Sequence, residues 1–413
     1  MIPRHTILAT LGTDGDIFPF FSLAKVLQAR GHRVTLATHE HFRQRTQAAD
    51  LGFLSLVSEH ENQELLGNPD MWNPLRSGFV LARWGTKMLE RQYHALAGIS
   101  SEPGSTLVAS VGVLAARLLQ ERNGTPLAGV VLQPWMIPSR FEPPVMMVGP
   151  TLPKWTPRWG AELYLRAWDG MGSLLVGPEL NRVRSTIGLP PVKRVFQWWN
   201  SPQRLLGLFP DWYAKPQPDW PSQLVLTGFP GFNGPSSAEL DPETQRFCES
   251  GSAPVVFTFG TGMMHAEKLF HTSLEACRKL GLRAIVLTKF PQQLPMPLPD
   301  WVHHSTFAPF RRLFPLCAAV VHHGGIGTTS DVLASGTPQL ILPFAFDQQD
   351  NGCRIKRLGV GDWLKPGHRT VKALTAKLET IMTATTRSNA LATAQRFVSV
   401  DGLATAATWI EAL

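Results

Sequence analysis

The amino-acid sequence predicts an α/β protein of two doubly wound, parallel-sheet domains facing each other across a cleft. Three observations predict it. Short apolar runs alternate with stretches of helical periodicity along nearly the whole chain, the pattern of a parallel sheet with helical crossovers. A proline- and tryptophan-rich connector, Pro210 to Pro221, interrupts the alternation and marks a domain boundary. The length, 413 residues, exceeds what one core ordinarily serves.

Each element follows from its residues. Residues 6–11 form a short apolar strand, and Gly12-Thr-Asp-Gly-Asp16 is the loop after it. Pro19 falls where an early-helix proline is tolerated. Phe20, Leu23, Ala24 and Leu27 then recur at helical spacing, and Gly31 ends the helix. Strands are expected at 34–37, 53–57, 106–111 and 127–132, with a helical pattern near 79–94. From Pro134 to about Pro157 periodicity weakens and Pro, Met and Trp accumulate; a helical stretch at 161–187 and a strand at 205–209 follow. The second domain is expected to open with a strand at 224–228 and to continue with strands at 255–259, 284–288, 319–322 and 340–343. From about Thr370 the chain reads as helical and alanine-rich. The expected domains are 1–215 and 216–395, with 396–413 a C-terminal helix packing back on the first.

Composition narrows the function. Charged residues make up 17% and there are 34 prolines, which fits a compact, loop-rich enzyme rather than a disordered scaffold. The net charge is +8, but the basic residues form no long runs; Arg311-Arg312 and Arg354 with Lys356-Arg357 are the densest groups. That argues against nucleic acid and leaves an anionic small ligand or an anionic membrane surface. Cys248, Cys277, Cys317 and Cys353 lie far apart with no C-x-x-C pair, so they read as reduced thiols and not as a zinc site. The first strand lacks the features of a signal segment, and no window reaches ~18 apolar residues. A cytoplasmic enzyme is therefore expected.

Two loops carry the chemistry of the second domain. The strand ending Val320-Val321 runs into His322-His-Gly-Gly-Ile-Gly-Thr-Thr-Ser330, with a helix expected from near Thr328. Small residues let a ligand approach the backbone, and helix N-terminal amides favour an anion. Two histidines would add donors, as a diphosphate requires when no metal neutralises it; a glycine turn merely capped by histidines is the plainer alternative. The next strand ends in Phe344-Ala-Phe-Asp-Gln-Gln-Asp-Asn351. There Asp347 and Gln348 could bind vicinal sugar hydroxyls, or Asp347 could simply cap a helix.

The run His323-Gly-Gly-Ile-Gly-Thr-Thr-Ser-Asp331, with Gly336-Thr-Pro338, Pro343, Asp347-Gln348 and Asn351, resembles the donor signature of family 1 glycosyltransferases, enzymes of GT-B architecture with two Rossmann-like domains. The N-terminal Gly-Thr-Asp-Gly-Asp-Ile-Phe-Pro loop fits as well. Val192-Lys-Arg-Val-Phe196, Ser201-Pro-Gln203 and Asp219-Trp-Pro221 are similar to the bacterial rhamnosyltransferases of rhamnolipid synthesis, beside the sterol and glycopeptide branches. The resemblance implies an N-terminal acceptor domain and a C-terminal nucleotide-sugar domain. It implies that His323, Gly325, Gly327 and Thr328 hold the donor phosphates, that Gly15, Gly260 and Thr261 approach the donor, and that Phe307 stacks on the base. Asp331 stands where a glutamate usually holds the ribose, Phe310 replaces a frequent glutamine, and Asp347 and Gln348 hold the sugar. No cofactor beyond the UDP- or dTDP-sugar, and no metal, is implied.

The chain departs from many relatives at the base. Asp16 stands where a histidine is common, and residues 106–120 contain no acid to orient one. Asp16 is therefore expected to take the acceptor hydroxyl proton itself, with helix capping as its plainer role. One base opposite the leaving diphosphate gives a single inverting displacement. Rival readings are weaker. Asp14-Gly-Asp16 spells a D-x-D, but a metal enzyme would not need the glycine loop at 322–328. Gly12-x-x-Gly15 lacks the G-x-G-x-x-G of a nicotinamide enzyme. A non-catalytic nucleotide-sugar or lipid binder is the remaining alternative.

Ten of the 13 tryptophans lie between Trp72 and Trp220, with Met71, Met88, Met136, Met146, Met147 and Met171 in or beside that span. For any one residue an ordinary core is the plainer reading. The local excess, which includes Trp135, Met136 and Met146, points to an adaptable apolar acceptor site. A hydroxylated lipid, polyketide, terpenoid or phenolic is expected, with peripheral membrane contact if the acceptor is a lipid.

Overall fold

The structure is a computed structural model that describes residues 4–73, 75–145, 151–153, 155–231, 239–260, 262–398 and 400–413, with Trp72 described in its backbone alone. Among these residues the strands form two all-parallel sheets. The first contains β1 (His5–Ala9), β2 (Arg33–His39), β3 (Gly52–Val57), β4 (Thr106–Ser110), β5 (Leu127–Val131), β6 (Arg204–Gly207) and β7 (Leu224–Leu226). The second contains β8 (Val255–Thr258), β9 (Ala284–Leu287), β10 (Val302–Ser305), β11 (Ala319–His322), β12 (Gln339–Ile341) and β13 (Gly361–Trp363). Their orders are β3-β2-β1-β4-β5-β6-β7 and β10-β9-β8-β11-β12-β13. Both are doubly wound, as predicted. Winding reverses between β1 and β4 and again between β8 and β11, and ligands of such sheets bind beyond the strand C-termini at that switch.

The central strands are uninterrupted apolar runs because helices cover both faces. Ile7, Leu8 and Ala9 of β1 and Val255, Val256 and Phe257 of β8 are completely buried. The edge strands β10 and β13 were not predicted. They read Val-His-His-Ser and Gly-Asp-Trp, too short and polar to show a periodicity, as edge strands often are. The helical pattern near 79–94 is two helices, Ser77–Lys87 and Leu89–Ser100, joined at Met88.

The chain divides into two compact units. One takes residues up to Pro144, the chain on to Gly231, and Asp401–Leu413; the other takes Val145 and the chain from 239 to 400. The expected boundary at 215/216 is therefore too early, and the strand at 224–226 does not open the second sheet. It pairs with β6, Leu205 opposite Leu224. The connector folds onto the first unit through its aromatics: Trp220 packs edge-on to Phe209 at 6.3 Å and Tyr213 to Phe229 at 5.0 Å. The last helix, Gly402–Glu411, lies against the first, Asp14–Ala29. Arg30 reaches Glu411 at 2.7 Å and the Ala404 carbonyl at 2.8 Å.

Candidate functional site

In the second unit β11 ends at His322, and the turn His323-Gly324-Gly325 leads into the helix Ile326–Ser335. Gly324 adopts φ +96°, a left-handed conformation costly for other residues. The helix starts at Ile326, two residues earlier than expected, which makes Gly325 its N-cap and Thr328 its third residue. Gly325 offers no side chain to the first-turn amides, and that turn holds no acid. Its N–H groups therefore keep their capacity for an anion.

The two histidines of this turn differ. His322 is completely buried and spent: Nδ1 accepts from the Gly324 N–H at 3.1 Å, so Nε2 donates to Gln339 Oε1 at 2.9 Å. Burial and the neighbouring His323 depress its pKa to about 3. The expectation of two donor histidines is corrected to one. His323 is half-buried, and its Nδ1 is buried without a hydrogen-bond partner. Desolvation lowers its pKa to about 4, opposed by the Thr258 backbone. Gly260, at φ +99° beyond β8, comes so near that an added Cβ would sit 3.4 Å from the His323 ring. Gly260, His323, Gly325, Gly327 and Thr328 thus gather at the β8–β11 switch point. Thr261 lies outside the described residues.

The loop after β12 is held from within. Gln348 Oε1 accepts from the Phe344 N–H at 2.6 Å and the Ala345 N–H at 3.1 Å. Gln348 therefore cannot both accept from and donate to a sugar; its NH2 is the part that remains. Asp347 starts the helix Gln348–Arg357 but makes no side-chain cap. Its Oδ2 accepts from Asn351 Nδ2 at 2.7 Å, and the same amide reaches the Gly324 carbonyl at 2.9 Å, joining the two loops. Phe346, in the loop after β12, adopts φ +58°, a strained conformation for an aromatic residue and a frequent mark of functional loops. Arg369 supports the loop from outside. Its guanidinium donates to the Pro343 carbonyl and lies 4.6 Å from the Phe344 ring centre. Burial lowers its pKa to about 10, and its Nε is buried without a partner.

Phe307 follows β10 and is 61% exposed, a free aromatic face. Phe310 instead stacks on Phe314 at 4.5 Å and packs on the core. Asp331 is buried in the Ile326 helix, and burial raises its pKa to about 7 against the influence of Arg311.

In the first unit, the turn after β1 leads into the helix Asp14–Ala29. Asp16 Oδ2 accepts from the Thr13 N–H at 2.9 Å and the Thr13 hydroxyl at 3.1 Å, and the Thr13 carbonyl accepts from the Asp16 N–H at 2.8 Å. Gly12, at φ +133°, passes so close that a Cβ would strike the Asp16 carboxylate. Asp16 does brace the helix start, yet desolvation raises its pKa, outweighing the Thr13 bonds that lower it, and the neighbouring Asp14 raises it further. The two carboxylates of the D-x-D have separate partners, since Asp14 lies 3.8 Å from His41. Gly15 is exposed on the same turn. Trp135 and Met136 are half-buried in a single helical turn after β5; Met146 lies outside the described residues.

Sequence reasoning missed His39. It ends β2 fully buried, accepts the Gly12 N–H at Nε2 (3.1 Å), and stacks on Trp84 at 6.1 Å. Its Nδ1 has no partner, and burial, then His41, lowers its pKa to about 4. The usable signal was topological: with β1 and β2 adjacent, the residue ending β2 lies beside the loop ending β1.

Residues 6–139 match the glycosyltransferase family 28 N-terminal domain, and residues 283–401 match the erythromycin biosynthesis protein CIII-like C-terminal domain. O-mycaminosyltylonolide 6-deoxyallosyltransferase of Streptomyces fradiae is 28% identical over 403 residues, 91% of this chain and 89% of that one. Sterol 3-beta-glucosyltransferase UGT80A2 of Arabidopsis thaliana is 27% identical over 87% of this chain, which spans 57% of that longer enzyme. Among solved structures, the glycotransferase of kitacinnamycin superposes with a TM-score of 0.76 at 19% identity, covering 100% of this chain and 99% of that one. Spinosyn rhamnosyltransferase SpnG complexed with thymidine diphosphate gives 0.64 at 17% identity, covering 99% and 100%. At these identities the structures establish the fold.

Proposed function

We propose, because this chain belongs to the family 1 glycosyltransferases of GT-B fold, that it moves a hexose from a UDP- or dTDP-sugar to a hydroxyl of a small lipophilic acceptor, with inversion and without a metal ion. The observation that carries the reading is the β11 turn, an uncapped helix start beside the His323 ring, whose Nε2 lies so near Gly325 that an added Cβ there would sit 2.6 Å from it. A diphosphate would complete both. His323, neutral near pH 7, would donate from Nε2, and the first-turn amides of Gly325, Gly327 and Thr328 would face the phosphate oxygens. Gly260 would let the diphosphate approach the backbone. Phe307 would stack on the pyrimidine, and Asp331, with a pKa near 7, would meet the ribose hydroxyls. Asp347 and the Gln348 NH2 would hold the sugar.

Asp16 would act as the base. Its raised pKa makes it a better proton acceptor than an exposed carboxylate. As the acceptor oxygen bonds to the anomeric carbon, its proton passes to Asp16. The bond from that carbon to the leaving diphosphate oxygen breaks, and the electron pair stays on the diphosphate. A single displacement inverts the anomeric centre, and the amides with His323 stabilise the departing charge. The half-buried Trp135 and Met136 would line the acceptor site. The named relatives act on O-mycaminosyltylonolide and on a sterol, which favours a lipophilic acceptor. The SpnG complex with thymidine diphosphate makes dTDP-rhamnose a donor to try beside UDP-glucose.

The test is a thermal-shift panel of UDP- and dTDP-sugars, followed by mass spectrometry of products from mixed acceptors with and without EDTA. The expected result is an EDTA-insensitive product on an apolar acceptor, with NMR reporting an inverted anomer. A preference for soluble sugars as acceptors, or loss of turnover in EDTA, would defeat the corresponding part of the proposal.

A further inference from the structure

The longest helix, Arg158–Thr186, has one face more apolar than its fold requires. Ala161, Asp169, Gly172, Leu180 and Val183 are buried, so the helix is already anchored. On another face Trp159, Leu163, Met171 and Leu174 are 73, 64, 41 and 78% exposed. Their spacing keeps them on one stripe of an α-helix, about 22 Å long at ~1.5 Å per residue. Trp155, 82% exposed, lies just before it. The helix Ser77–Lys87 packs against the long one and brings the exposed Leu75 and Phe79. Surface apolar residues scattered singly need no explanation, but a concentration of this kind on neighbouring helices marks an interaction surface.

The charges select the occupant. Residues 75–87 carry Arg76, Arg83 and Lys87, all exposed, and no acid; Arg76 pairs with Asp70 at 3.1 Å, which leaves Arg83 and Lys87 as the basic border of this helix. On the long helix Arg158 and Arg166 flank the stripe, while Glu162 is engaged by Arg140 at 2.7 Å and by Arg166. A second copy of the chain placed symmetrically would set this basic border against itself. An anionic bilayer would neutralise it and accept the apolar stripe, with tryptophan at the headgroup level and arginine stems lying along the apolar surface. No helix among the described residues is long and apolar enough to cross a membrane, so such a contact would lie in the interface.

We propose that the stripe Trp159–Leu163–Met171–Leu174, with its basic border, docks the first unit on an anionic lipid surface. The use of the docking, to draw a lipophilic acceptor from the bilayer, rests on the acceptor reading above; the docking itself does not.

The full chain is floated with vesicles of phosphatidylcholine alone and of phosphatidylcholine with phosphatidylglycerol, and tryptophan emission is recorded. Binding is expected to the anionic vesicles, weakened by salt, with a blue shift. A triple variant, Trp159→Ser, Leu163→Ser and Leu174→Ser, should bind at least about tenfold less while keeping the wild-type melting curve. Leu174→Glu alone should act in the same direction and guards against misfolding of the triple variant. Wild-type protein that ignores anionic vesicles, or variants that bind as well as wild type, would overturn the proposal. So would a wild-type dimer in sedimentation velocity that the variants dissolve. Thermal shift with nucleotide-sugars and transfer to a detergent-soluble acceptor, run on the same proteins, keep the two readings apart: variants that lose docking but keep transfer support the docking, and wild-type protein that transfers without binding vesicles overturns the docking alone.

Discussion

The turn after β1 and the turn after β11 are built alike and charged oppositely. Each joins a buried parallel strand to a helix through a glycine of positive φ, Gly12 or Gly324, whose N–H is held by a buried neutral histidine, His39 or His322. The third helical residue then differs. In the first turn it is Asp16, whose carboxylate accepts from the N-cap residue, so an anion is already installed. In the second it is Thr328 behind a glycine cap, with no acid in the first turn. A helix start that carries its own carboxylate repels phosphate and keeps a base in place. One left uncapped attracts phosphate.

The largest effect should come from removing the installed anion. Asp16→Asn keeps the shape but cannot take a proton, and turnover should fall about 10³-fold. Nucleotide binding, measured by calorimetry, should hold. Unchanged turnover would leave Asp16 with only its capping role.

Next in size is making the second turn resemble the first. Thr328→Asp puts a carboxylate at the position equivalent to Asp16. It should help the helix start by ~0.5 kcal/mol yet weaken dTDP and UDP binding about a hundredfold through charge repulsion near the phosphates. Thr328→Ala should lose far less. If Thr328→Asp binds nucleotide like wild type, the anion does not sit at this turn and the comparison breaks.

The turns also differ in what a sequence reveals. Strands β1, β8 and β11 were legible because doubly covered strands are apolar throughout. The glycine turns were legible because few other residues adopt their backbone. The edge strands β10 and β13 have too few apolar residues to show a period. The boundary was misplaced because Pro210 to Pro221 has linker composition, while its aromatics pack on the first unit. At the site, residue types were readable and bond assignments were not. Nothing in the sequence separates His322, spent on Gly324 and Gln339, from His323, whose Nδ1 is unpartnered. Nor does it show that the Gln348 carbonyl is consumed by its own loop. His39 and Arg369 reach the turns from other strands and loops, so only the folded topology brings them there.

A smaller effect sharpens the role of His323. His323→Gln should weaken nucleotide-sugar binding about tenfold. It should also remove a pH dependence. Free His323 has its pKa depressed to about 4, and a bound diphosphate favours its protonated form, so binding takes up a proton. Wild-type affinity should therefore rise as pH falls from about 8 to about 5, and the variant should be flat. A nucleotide-sugar suits the titration, because its diphosphate keeps the same charge over that range. A wild-type curve that is flat as well would place His323 away from the phosphates.

The smallest effect concerns stability near His39. Its folded pKa of about 4 lies below the ordinary 6.5, so between these values the unfolded chain binds more protons than the folded one. Its contribution therefore favours folding above the unfolded pKa and declines as pH falls. Each pH unit in that window costs ~1.4 kcal/mol per such histidine. Asp331, raised to about 7, has the opposite sign, since its burial penalises folding increasingly as pH rises through that value. His39→Phe keeps a ring on Trp84 but leaves the Gly12 N–H without its acceptor, at a cost of ~1 kcal/mol. The variant should melt a few degrees lower at about pH 7. By about pH 5 it should have closed that gap or crossed it, because it has one fewer buried histidine to protonate. A deficit that stays constant between the two pH values would mean that His39 titrates in the folded protein as it does in the unfolded chain, and one that widens would mean that folding favours its charged form. The Gly12 turn would then not be held by an imidazole that burial keeps neutral, and its likeness to the Gly324 turn would fail at the histidine.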